Sequence, residues 1–93
     1  LQEIDDAIFS YNKSLQQLSA DRQALEQIKL TLQYAVDLYN KGLSDYQTVL
    51  DSQRNVLNYE NILVTAHSST LLYFIQLYKA LGGGYEYQVN NKY

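Results

Sequence analysis

Side chains able to do chemistry are sparse in this sequence, and several meet only in the stretch Lys41-Gly42-Leu43-Ser44-Asp45-Tyr46. The chemistry available there is that of helix ends. Gly42 can take the left-handed conformation that stops a helix, and the Lys41 ammonium suits the terminal carbonyls beside it. Ser44 with Gln47 three residues later reads as a capping box, and Asp45 puts a negative charge into the first turn of the next helix. The hydrophobic staple is incomplete, because Thr48 stands where Leu43 would need an apolar mate. Elsewhere His67 is the lone histidine, on an apolar seam with no Cys and no acidic residue at i±4. A packed or water-facing histidine is expected, not a metal ligand. Gly82-Gly83-Gly84 follows a helical stretch instead of preceding one, so it is no phosphate-cradling loop. There is no Ser/His/Asp grouping and no catalytic carboxylate pair, so neither an enzyme nor a bound cofactor is expected.

The elements around that stretch read as two long helices. The first runs from about Ile4 to Asn40, with apolar residues at Ile4, Ile8, Tyr11, Leu15, Leu18, Leu25, Leu32, Val36 and Tyr39. Arg22 and Lys29 hold the polar positions of that seam, and Ala24, Ile28, Ala35 and Leu38 form a second set beside it. The second helix runs from about Asp45 to Leu81. One seam reads Tyr46, Leu50, Leu57, Val64, Leu71, Phe74, Tyr78 and Leu81, with Gln53, Glu60 and His67 between. An adjacent seam reads Val49, Val56, Leu63, Ala66, Tyr73 and Leu77. The period of 3.5 is that of a left-handed coiled coil. Two seams side by side predict two neighbours, because a plain two-stranded hairpin needs only one narrow stripe.

The fold class expected is therefore all-α: a long antiparallel helical hairpin over 1–81 with its turn at 41–44. Each arm would be a rod of roughly 60 Å at about 1.5 Å per residue. Residues 82–93 read as a C-terminal tail, in which Tyr85, Tyr87 and Val89 alternate with Glu86 and Gln88 as a short strand would. No proline interrupts either helix, and the absence of cysteine excludes a disulfide framework and thiolate metal sites. The net charge of −3 is spread along the chain, so no nucleic-acid footprint is expected. No apolar run approaches the roughly 20 residues that cross a bilayer. Ten tyrosines against two phenylalanines suit helices in thin layers with water close by. A start at Leu1 is expected of a mature fragment or a piece of something larger.

The string Tyr39-Asn40-Lys41-Gly42-Leu43-Ser44-Asp45-Tyr46, continued by Val49-Leu50-Asp51-Ser52-Gln53-Arg54, resembles the C-terminal part of TolC-like outer membrane factors. These are the exit ducts of tripartite efflux pumps. The ending Leu77-Tyr78-Lys79-Ala80-Leu81-Gly82-Gly83-Gly84-Tyr85 is similar to the terminal signature of that family, where an aromatic follows the glycines. The similarity covers most of the chain from Asp6 onward.

The resemblance implies a homotrimer in the bacterial outer membrane, anchored through a β-barrel region that this chain lacks, with an α-helical barrel in the periplasm. This chain would be the last helical hairpin of that barrel, a passive wall and gate for drugs, metals or metabolites. The implied partners are a periplasmic adaptor (membrane fusion) protein and an inner-membrane efflux pump. Gly42, Leu43 and Ser44 match the tip where the adaptor docks, beside the plainer role of Gly42 as a helix stop. Tyr39 matches a tyrosine that helps close the tip, or it is simply a seam aromatic. TolC-type members carry an arginine where Ser44 stands, so Asp45 would hold the tip shut instead by pairing with Lys41 or Arg54 of a neighbour. Asp51 matches an aspartate projecting into the tunnel near its constriction, with a solvated helical face as the alternative. Thr48 replaces the second aspartate of that filter, which would weaken any cation selectivity.

Two other readings remain on the sequence alone. A coiled-coil interaction module such as a periplasmic adaptor hairpin would not explain the glycine-rich ending. A four-helix bundle with ligand chemistry in its core would need inward Glu and His pairs at i, i+3, and these are absent.

Overall fold

With no proline to break the backbone ladder, the computed structural model forms two helices joined by a short turn. It describes the backbone of residues 2–91 and the side chains of residues 2–82. Helix α1 spans Gln2–Asn40 and helix α2 spans Tyr46–Asn91, so the all-α helical hairpin expected from the heptads is present. The residues pack as two units, Ser19–Thr65 and Leu1–Leu18 with Ala66–Tyr93.

In the unit Ser19–Thr65, the end of α1 turns back through residues 41–45 into the start of α2. Leu25 and Ala35 of α1 and Val49 and Val56 of α2 are buried between the two helices. Two polar residues share that seam: Asp21 and Ser52 are buried as well. Val49 is the most enclosed of these, with 3% of its surface exposed.

In the unit built from Leu1–Leu18 and Ala66–Tyr93, Leu18 and Thr70 are buried. The Thr70 hydroxyl donates to the Ala66 carbonyl of its own helix at 2.9 Å, with the Ser14 carbonyl of α1 at 3.4 Å. Ser14 in turn donates its hydroxyl to the Tyr11 carbonyl at 2.7 Å. Such bonds to the preceding turn satisfy a hydroxyl inside a helix contact, where an unbonded one would be costly. Tyr11 and Phe74 pack ring against ring across this pair, with centroids 5.8 Å apart.

The inner face of α2 is thus the seam of Val49, Val56, Leu63, Ala66 and Leu77. Leu63, Ala66 and Leu77 are half-buried, whereas Tyr73 of the same seam is exposed. The other seam, Tyr46, Leu50, Leu57, Val64, Leu71, Phe74, Tyr78 and Leu81, is exposed at every position, although its aromatic members Phe74 and Tyr46 make ring contacts with α1, to Tyr11 and Tyr39. On α1 the contact face draws on both apolar sets, Leu18 and Leu25 from one and Ala35 from the other, and Ile8, Leu15 and Tyr39 stay exposed.

The C-terminal expectation needs correcting. Helix α2 does not stop at Leu81, and its backbone continues through the three glycines to Asn91, where a short strand was expected. Glycine costs a helix interior about 1 kcal/mol relative to alanine but does not forbid it. A strand needs a ladder partner, and no other strand exists among the described residues to supply one. The side chains of the expected strand, and residues 92 and 93, lie outside the described part.

Candidate functional site: the interhelical turn and the outward seam

The turn is closed by backbone geometry that only glycine accepts easily. Gly42 has φ +74°, the left-handed region, and a side chain there would meet no atom, so the obstacle to substitution is the backbone itself. The Gly42 N–H donates to the Tyr39 carbonyl and the Leu43 N–H to the Leu38 carbonyl, each at 2.9 Å. This pair of bonds is the Schellman motif, and it satisfies carbonyls that the end of α1 leaves orphaned.

The start of α2 is capped by Asp45, not by the expected Ser44 and Gln47 box. Asp45 Oδ1 accepts the Thr48 N–H at 3.1 Å and the Thr48 hydroxyl at 2.7 Å. A carboxylate with two donors three residues ahead outcompetes a serine one residue too early, since α2 begins at Tyr46. The Thr48 hydroxyl, and after it the Thr48 N–H, hold the Asp45 carboxyl below its ordinary pKa. Gln47, freed from the box, donates its side-chain N–H to Asp51 Oδ1 at 3.0 Å.

Tyr39, Gly42, Leu43, Ser44 and Asp45 are therefore gathered at one turn. Leu43 is the most exposed of them, with 71% of its surface open to water. Asp51 stands apart on α2, exposed and tied to Gln47. Two residues outside the expected site set also contribute contacts at this turn. Tyr46 packs its ring against Tyr39, with centroids 5.2 Å apart and planes at 57°. Thr48 supplies both donors to the cap. The spacing Asp-x-x-Thr held the signal for Thr48; nothing in the sequence marked Tyr46 as more than a seam aromatic.

Beyond the turn, a cleft of about 480 Å³ lies in the unit built from the chain's two end segments. Small residues such as Ser10, Ser14, Ala66 and Ser69 leave this space, and Lys13 sits over the Phe9 ring at 5.8 Å on its rim. None of the expected site residues lines it. His67 is exposed on α2. Among the described residues no group of His, Cys, Asp or Glu is placed to hold a metal ion, and no helix is long and apolar enough to cross a membrane.

Comparison with known proteins gives this geometry its context. The model of the family described as outer membrane efflux protein matches residues 1–83, which includes α1, the turn and most of α2. The solvent efflux pump outer membrane protein SrpC of Pseudomonas putida is 32% identical over 88 residues, covering 95% of this chain and 19% of that protein. The cation efflux system protein CusC of Escherichia coli (strain K12) is 34% identical over 82 residues, covering 88% of this chain and 18% of that protein. The probable outer membrane lipoprotein SilC of Salmonella typhimurium is 30% identical over 83 residues, covering 89% and 18%. The chain spans less than a fifth of the length of these relatives. No solved structure gives a significant match. The chain belongs to the outer membrane efflux protein family. That is a family of efflux proteins of the outer membrane, not of enzymes.

Proposed function

We propose that this hairpin is part of the periplasmic wall of an outer membrane efflux duct, and that residues 41–45 form its tip. The observation that carries the reading is the family match across both helices and the turn. The exposed seam of α2 supports it, because a helix with one apolar face buried and a second left open needs another helix beside it. In this reading three copies of the full protein close the barrel, and the tip meets a periplasmic adaptor that joins it to an inner-membrane pump. Gly42, Leu43 and Ser44 form the docking edge. Tyr39, Asp45 and Asp51 lie on the gate side. The adaptor-hairpin alternative has no comparable support, since the matched family is that of the outer membrane component.

The relatives are named for solvent and for cation efflux, so the proposed role is that of a duct wall common to different cargoes. The hairpin does its work passively: it encloses a path, and it opens when helices part at the tip. The test is Gly42→Val in the full-length protein. Expected is a several-fold loss of export, measured as cellular resistance, with helical content and outer membrane insertion retained. Unchanged export would contradict the tip assignment.

A further inference from the structure

Along α2 in the unit Ser19–Thr65, the outward seam is apolar at Leu50, Leu57 and Val64, with Gln53 and Glu60 set into it. Leu57 and Val64, which flank Glu60, are 62% and 65% exposed. The residues three and four positions to either side of Glu60 are Val56, Leu57, Leu63 and Val64, all apolar. Those around Gln53 are Val49, Leu50, Val56 and Leu57, again all apolar. Neither polar side chain has a charged mate at helical spacing on its own helix. A carboxylate in such a position is well solvated while the seam is open. Once a neighbouring helix covers Leu57 and Val64, the same carboxylate is withdrawn from water, at a cost that an opposing cation with good geometry offsets most directly.

We propose that this seam is covered by an α-helix from the rest of the protein, outside these 93 residues, that sets an arginine or lysine opposite Glu60. The proposal rests on the wall reading and adds the chemistry of the neighbour. The relatives supply the room for such a helix, since each is more than five times as long as the segment matched here. A single polar position in an otherwise apolar heptad seam fixes register and partner choice, which is what a wall of similar helices requires. Glu60 selects the neighbour, and Gln53, seven residues earlier, adds a second polar checkpoint of hydrogen-bonding type.

The test is a photo-crosslinking amino acid at Leu57 in the full-length protein assembled in the outer membrane, with the linked peptide identified by mass spectrometry. Expected is a link to a helical segment outside residues 1–93 with an arginine or lysine within one turn of the linked residue. Glu60→Lys should cut the yield of that link by at least about tenfold, because like charges would face each other in the covered seam. Because that variant can fail by misfolding, the mapping in the presence of Glu60 decides independently. A link to a helix with no cation within a turn overturns the proposal and leaves the wall intact. A link into residues 1–93 of a second copy overturns the choice of occupant. No link to protein at all overturns the wall reading together with it.

Discussion

Tyr39 and Tyr46 bridge the turn with their rings, centroids 5.2 Å apart and planes tilted by 57°. The last turn of α1 is thereby joined to the first residue of α2 by an aromatic contact laid beside the backbone bonds of Gly42 and Leu43. Tyr39 thus has a partner within its own hairpin, and any role in closing a gate would have to act with that contact in place or by breaking it. Both rings are about half exposed, so the pair belongs at the lower end of the usual range, about 0.5 kcal/mol. A double-mutant cycle with Tyr39→Leu and Tyr46→Leu, read by thermal unfolding, should return a coupling of that size. A coupling of zero would mean that the rings are neighbours without attraction.

Gly42 is expected to tolerate substitution according to backbone conformation alone, because nothing lies near enough to clash with a side chain. Gly42→Ala should cost about 1–2 kcal/mol, the usual penalty of the left-handed conformation. Gly42→Asn should cost less, since asparagine visits that region more readily. Equal losses for both variants, measured by chemical denaturation, would point to a clash instead.

Asp45 should make the start of α2 sensitive to acid. Its folded pKa is lowered by the Thr48 hydroxyl and backbone N–H. A lowered pKa means that the charged cap stabilises the fold above the ordinary aspartate value, about 3.9. That contribution is lost as pH falls through the lower folded value. Protection of the Thr48 amide against exchange, taken relative to the intrinsic rate at each pH, should therefore fall at acid pH in the natural protein and be low at every pH in Asp45→Ala. Asp45→Asn, which keeps an acceptor oxygen, should remain intermediate and show no acid step.

The two faces of α2 and its partner should respond differently to truncation. Leu25 is buried inside the hairpin, so Leu25→Ala should cost about 2–3 kcal/mol wherever it is measured. Leu57 is open in the hairpin itself, so Leu57→Ala should weaken only the assembled protein. Comparing unfolding of the isolated chain with unfolding of the full-length protein separates the two effects.

Much of this was legible in the residues. Gly42 could be placed because a left-handed helix stop is a demand few other residues meet, and the two helices because heptads without proline leave no other arrangement. The cap was misplaced by one residue because Ser44 and Asp45 are adjacent and both can cap. Only the geometry shows that Thr48 aims two donors at the carboxylate and that Gln47 turns to Asp51. Which of the two α2 seams faces α1 was not legible either. The inner contact includes Asp21, Ser52 and Thr70, whose polarity hides their position from a hydrophobic pattern, while the outer seam carries the larger apolar side chains. The glycines after Leu81 misled because glycine inside a helix costs only about 1 kcal/mol relative to alanine, and local backbone bonding needs no partner strand.

The wall itself is most directly tested by single-cysteine labelling of the purified full-length protein at Leu57, Val64 and Leu43. All three are exposed in the hairpin taken alone. If other helices cover the outward seam, Leu57→Cys and Val64→Cys should react with a maleimide at least about tenfold more slowly than Leu43→Cys at the turn, since labelling would require local opening. Equal rates at all three positions would mean that the seam faces water in the assembled protein, and the hairpin would not be part of a closed wall.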